Sequence, residues 1–158
     1  ECDDFRLTDD ITDAIKNFKP KMLFLTNPNN PNGLLIEKKL LLRIVETCES
    51  IGTTVIVDEC FLTLTGYEKE LSLSRDIRSF KSLIVLRAFT KTFAIPGVRL
   101  GYAICSKKAI ADSIKAHLPE WNISIFAQMA GIECLKHMEY LDEAVKLIRE
   151  ENEQLMSM

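Results

Sequence analysis

Three short apolar runs limit the architectures open to this chain. Residues 22–25, 53–57 and 83–86 are too short to be helices, the second is β-branched, and each stops abruptly at polar residues. Between them the apolar period changes to that of a helix. Ile11, Ala14, Ile15 and Phe18 share one face of a segment over 11–18, preceded by capping candidates Thr8, Asp9 and Asp10 and closed by Pro20. Leu40, Leu41, Ile44, Val45 and Cys48 do the same over 36–50, with Gly52 as the stop. A fourth strand-like run covers 100–105. Strands alternating with helices predict an α/β fold with a doubly wound, mostly parallel sheet.

The remaining segments follow the same reading. Residues 61–73 form a loop containing Gly66, 74–80 a short helix, 107–117 a longer one and 119–122 a turn. Two helices are expected over 124–138 and 140–156, the second charged and half-exposed. The length of 158 residues suits one domain with a sizeable core.

In a parallel sheet, ligands gather beyond the carboxyl ends of the strands. Here those ends carry the Asn-rich loop 27–33, Asp58 with Glu59, and a polar turn holding Lys91 between Thr90 and Thr92. Taken singly each has a plain explanation: a turn, a cap, a solvated lysine. Together they place an amide, a carboxylate and an amine on one edge. A desolvated amine near another cation attacks carbonyls readily, which is how Schiff-base lysines arise. Arg99, eight residues after Lys91 and just past Pro96-Gly97, suits a bidentate grip on phosphate.

Bulk properties narrow the partners. A net charge of −3 gives no electrostatic reason to expect nucleic acid or an anionic membrane. No apolar run approaches the ~18 residues of a membrane span. No signal peptide precedes the first helical segment. The five cysteines, Cys2, Cys48, Cys60, Cys105 and Cys134, are scattered and mostly in apolar runs, as expected of buried thiols in a reducing cytoplasm. His117 and His137 lack ligand-like companions, and Tyr102 is expected in the core.

The segments 27–33, 55–59 and 87–102 resemble the successive signatures of the fold-type I, class I/II aminotransferases, and the resemblance extends over essentially the whole chain. It implies pyridoxal 5'-phosphate as cofactor. Lys91 resembles the lysine that holds it covalently, and Asp58 the aspartate that pairs with its pyridine nitrogen. Asn30 matches the asparagine that bonds the ring's 3-oxygen. Arg99 and Thr90 match phosphate contacts. Three positions depart from the pattern. Phe61 stands where many relatives carry a tyrosine, Ala88 where a hydroxyl is usual, and Asn32 where threonine is usual.

Within the family, residues 91–102, Phe61 and the turn 119–123 look most like the threonine-phosphate decarboxylases of cobalamin biosynthesis, with histidinol-phosphate aminotransferases as the alternative. The implied substrate is a small phosphorylated amino acid or amine, and the implied assembly a homodimer of the full-length protein. Residues 1–158 would be most of the cofactor-binding large domain, inactive alone, without the N-terminal phosphate loop and the C-terminal small domain. Trp121 and Asn122 are either substrate contacts or a packed turn. A phosphate-binding α/β module without lysine chemistry remains a second reading, although no Gly-rich nucleotide loop follows any strand. A purely structural role is a third.

Overall fold

The computed structural model describes residues 5–158; Cys2 lies outside them. Four strands form one sheet in the order β1 (Met22–Thr26), β2 (Thr54–Asp58), β3 (Leu83–Ala88), β4 (Gly101–Cys105). β1 and β2 are parallel, as are β2 and β3, whereas β4 runs antiparallel to β3. The mostly parallel sheet of the sequence reading is present, with its last pairing reversed. The reversal follows from length, because the short segment between β3 and β4 holds no full crossover helix.

Helices α1 (Asp10–Phe18) and α2 (Lys38–Ser50) pack together over one face of the sheet. The pleat directs Leu25, Val55, Val57, Leu83 and Val85 toward them, where they meet Ile15, Leu41, Ile44, Val45 and Cys48. Burying each such side chain contributes about 1.5–3 kcal/mol. The opposite face is uneven. Ile56 and Ile84 are buried there, but Met22 and Phe24 on β1 remain 51% and 64% exposed.

The loop expected over 61–73 is more ordered than its composition suggests. It holds a 3₁₀ turn, Leu62–Thr65, and the short helix α3 (Glu68–Leu71). The helix expected over 74–80 shrinks to a 3₁₀ turn, Ile77–Ser79, with Ile77 and Phe80 both buried in the core. The polar turn after β3 is the single-turn helix α4 (Phe89–Thr92), and β3 itself runs two residues further than expected, taking in Arg87 and Ala88. Helices α5 (Lys108–Ala116), α6 (Ile125–Cys134) and α7 (Glu139–Ser157) complete the chain. Among the described residues, no helix is long and apolar enough to cross a membrane.

α7 returns to the site edge and packs on the Leu62–Thr65 turn. Gly66 makes this approach possible. Its φ is +76°, and a Cβ there would stand 2.9 Å from Val145 Cγ1. Tyr102 departs from its expected place in the core. It is 50% exposed at the sheet's edge, with its ring edge-on to Phe89 at 5.8 Å. Trp121, 93% exposed, is not packed either.

Since Leu41 is fully buried between α2 and the sheet, Leu41→Ala should cost about 2–5 kcal/mol, measured by urea denaturation. A loss under about 1 kcal/mol would mean that this interface is not the core.

Candidate active site

The parallel register sets the site. Thr26 lies beside Asp58, and Asp58 beside Leu86, so the polar ends of β1, β2 and β3 open on one edge. Asn27 stitches the first two together. Its backbone N–H donates to the Asp58 carbonyl at 2.9 Å, and its buried Oδ1 accepts from the Ile36 N–H at 2.9 Å. The loop beyond it closes on itself. Asn29 accepts from the Thr26 hydroxyl at 2.7 Å and donates to Asn32 Oδ1 at 3.0 Å. Asn32, in the place where threonine is usual, therefore braces this loop. Asn30 is left exposed on the loop's outer wall.

Asn30 and Phe61 line one cleft of about 820 Å³, whose far side is Ile148 and Arg149 of α7. Lys91, like Asp58, Thr90 and Arg99, does not line this cleft; from α4 it meets the cleft's Phe61 wall, its Nζ 5.3 Å from the centroid of that ring. This is a cation over an aromatic face, a contact worth roughly 0.5–1 kcal/mol at an exposed site. The amine is at the surface, not desolvated as the sequence reading supposed. Phe61 supplies the wall that a tyrosine would have supplied, without a hydroxyl.

Asp58 is half-buried. Its Oδ1 accepts from the Cys60 N–H at 2.9 Å. Burial, then a hydrogen bond to Asp58, push the Cys60 thiol up to about 12. Burial alone pushes Cys48 to about 11. Thr90 is buried, and its N–H donates to the Leu100 carbonyl at 3.3 Å, tying the lysine-bearing helix to the arginine-bearing turn. Arg99 itself is exposed and turned onto its own loop, with Nη1 donating to the Pro96 carbonyl at 3.2 Å. Ala94 and Arg99 both take left-handed backbone, φ 53° and 55°, on either side of Pro96-Gly97. Such conformations cost non-glycine residues about 1–2 kcal/mol each and concentrate at functional sites.

Beneath these residues lies a network that the sequence reading missed. Arg87, 7% exposed, is paired with fully buried Glu59 at 2.9 Å and with Glu68 at 3.1 Å. The same guanidinium donates to Thr63 Oγ1 at 3.0 Å and Ser72 Oγ at 2.9 Å. Glu59 is fully engaged in turn, accepting from the Ser72 hydroxyl at 2.7 Å and the Leu73 N–H at 2.8 Å. A signal for it existed. Arg87 falls on the same face of β3 as Leu83 and Val85, and a charge on a buried face must find a partner.

Two outcomes follow. Arg87→Met leaves Glu59 buried and unpaired and should cost about 3–5 kcal/mol in denaturant melts, against under about 1 kcal/mol for the exposed pair Lys108–Asp112. The thiols give a pH dependence. Cys48 and Cys60 hold their protons more tightly in the fold than at their ordinary 9.0. Their contribution is complete below 9.0 and declines as pH rises toward 11 and 12, because only the unfolded chain loses those protons. Melts across that range should show this decline, and Cys60→Ala should make it shallower.

Comparison with known proteins identifies the family. Residues 1–158 match the family "Aminotransferase class I and II". The chain is 33% identical over 148 residues to the chloroplastic histidinol-phosphate aminotransferase of Nicotiana plumbaginifolia, covering 94% of this chain and 34% of that protein. It is 34% identical over 153 residues to the threonine-phosphate decarboxylase of Salmonella typhimurium, covering 96% and 41%. The crystal structure of the histidinol-phosphate aminotransferase from Clostridium acetobutylicum superposes with a TM-score of 0.85 at 38% identity, over 92% of this chain and 44% of that one. The chain thus spans less than half the length of these relatives. With the family's match running from end to end and the mixed α/β fold shared, the chain belongs to the class I and II aminotransferases, a family of pyridoxal phosphate-dependent enzymes.

Proposed function

We propose that the edge formed by Asn30, Asp58, Phe61, Lys91, Thr90 and Arg99 is the greater part of a pyridoxal 5'-phosphate site in an enzyme acting on a phosphorylated amino acid or amine. The observation that carries the reading is the meeting of Lys91 Nζ with Phe61 on the edge where Asp58 ends its strand. The donor set fits the cofactor. Asp58 offers a carboxylate to a protonated ring nitrogen, Asn30 an amide to the ring oxygen, and Lys91 a primary amine to the aldehyde. Thr90 and Arg99 offer a hydroxyl and a guanidinium to the phosphate, the arginine after turning away from Pro96. Bound pyridoxal phosphate supplies an electron sink for charge developing at the substrate Cα.

The chain's own residues divide the remaining work. The Asp58 carboxylate keeps a proton on the ring nitrogen. Phe61 bounds the cleft with a ring face and offers no competing proton to the Lys91 amine. Lys91 Nζ would be the base or acid that removes a proton from the substrate Cα or returns one to it. Both decarboxylation and transamination need these same three residues.

Decarboxylation of L-threonine O-3-phosphate to aminopropanol phosphate is the reaction we favour, supported by Phe61, residues 94–102, the turn 119–123 and the Salmonella relative. Transamination of histidinol phosphate is the second reading, supported by the Nicotiana and Clostridium relatives. We further propose that the chain is most of the large domain of a cytoplasmic homodimer. Supporting this, Cys48, Cys60, Cys105 and Cys134 are all free. Ile125, Phe126, Met129 and Ile132 of α6 are 62%, 79%, 62% and 61% exposed and offer apolar surface for association.

Product analysis with the full-length protein separates the two reactions. Incubation with O-phosphothreonine should release carbon dioxide without consuming a keto acid, and Lys91→Ala should abolish release. Glutamate formation from histidinol phosphate and 2-oxoglutarate, without carbon dioxide from O-phosphothreonine, would establish the second reading instead.

A further inference from the structure

We infer that the buried Arg87–Glu59 pair is a positioning device for the site, holding the carboxylate-bearing and amine-bearing strand ends in one fixed relation. The inference rests on the reading of Asp58 and Lys91 as cofactor contacts.

Chain connectivity gives the first reason. Glu59 follows Asp58 directly, and Arg87 stands near the end of β3, four residues before Lys91 in α4. Thr63, which accepts from Arg87, lies two residues beyond Phe61 in the turn that begins there. One guanidinium therefore binds the three segments that carry the acid, the aromatic wall and the amine. A rotation of any of these segments must break a buried, charge-assisted bond.

Burial gives the second reason. Glu59 is fully buried and Arg87 is 7% exposed, so neither charge can exchange its partner for water. Such pairs contribute little net stability compared with apolar side chains of the same size, and what they do secure is a unique geometry. The two terminal nitrogens of Arg87 are held on one side by Glu59 and Ser72 and on the other by Thr63 and Glu68, which fixes the guanidinium plane, while its buried Nε has no partner. Lysine could not reproduce that pattern.

The third reason is the strand pairing around Arg87. Arg87 is in register with Tyr102 of β4, and Gly101 packs close to the Arg87 carbonyl, where a Cβ would stand 2.9 Å from that oxygen. β4 in turn leads back through Leu100 to Thr90, so the register reaches the lysine-bearing helix from its other side.

A residue that only stabilises the fold would affect the cofactor no more than any other core residue does. The test compares Arg87→Met, Arg87→Lys and Glu59→Gln with Leu41→Ala, a core change in α2 outside the polar network, in the full-length protein. Two quantities are read for each: the dissociation constant for pyridoxal phosphate, by absorbance titration, and the induced circular dichroism of the bound chromophore, which reports its orientation. Melting temperature is recorded alongside. The Arg87 and Glu59 variants should bind about tenfold or more weakly and lose most of the dichroic band, while Leu41→Ala, though destabilised, keeps wild-type values. Glu59→Gln keeps the size of the side chain and serves if Arg87→Met does not fold. Equal effects from Leu41→Ala, or wild-type binding and dichroism in Glu59→Gln, would overturn the inference. Wild-type spectra in a Lys91→Ala control would instead overturn the underlying assignment of Lys91.

Discussion

The ion pair between Arg87 and Glu59 is the interaction on which the site edge depends. Two charges removed from water inside a sheet edge are costly unless each polar atom is met. Here the guanidinium meets two carboxylates and two hydroxyls, and the inner carboxylate meets Ser72 and the Leu73 N–H. These partners come from the residue after β2, the turn after Phe61, α3 and the segment around Ser72. The pair thus fixes irregular backbone that no sheet ladder reaches. Apolar packing under α1 and α2 makes the fold stable, and the polar network gives its open edge a single shape.

Topology supplies the rest. Parallel pairing of β1 with β2 and of β2 with β3 brings three chain segments, distant in sequence, to one edge with their carboxyl ends aligned. The antiparallel return of β4 then carries the chain back along β3, so that Thr90 and Leu100 become neighbours. Between them the backbone is forced into left-handed geometry at Ala94 and Arg99. Conformational strain and a concentration of polar side chains coincide there, as at many sites where a bound group repays the strain.

Much of this was legible in the sequence. The β-branched run before Asp58 and the apolar spacing of α2 left little freedom, and the alternation of elements implied converging strand ends. What escaped had physical causes. The antiparallel sense of β4 depends on the length of a connection that looked like a plain turn. The short helices at Glu68–Leu71 and Phe89–Thr92 lie below the length at which periodicity is readable. Tyr102 was expected in the core because its run is apolar, yet β4 is an edge strand whose outer side is open. The desolvation of Lys91 was inferred from the apolar strand before it, whereas α4 turns the side chain outward over Phe61. Glu59 and Arg87 were hidden because burial is a tertiary property. Alternation would put Arg87 on the face of Leu83 and Val85, but only once β3 is known to run on to Ala88.

The central claim is that this edge holds pyridoxal phosphate through Lys91. The most direct measurement is to reduce the full-length protein with borohydride after exposure to the cofactor, digest it, and locate the modification by mass spectrometry. A phosphopyridoxyl mass confined to the peptide bearing Lys91, and lost when Asp58 is replaced by alanine, is the expected result. The same mass scattered over surface lysines such as Lys108 and Lys146, with Lys91 unmodified, would contradict it.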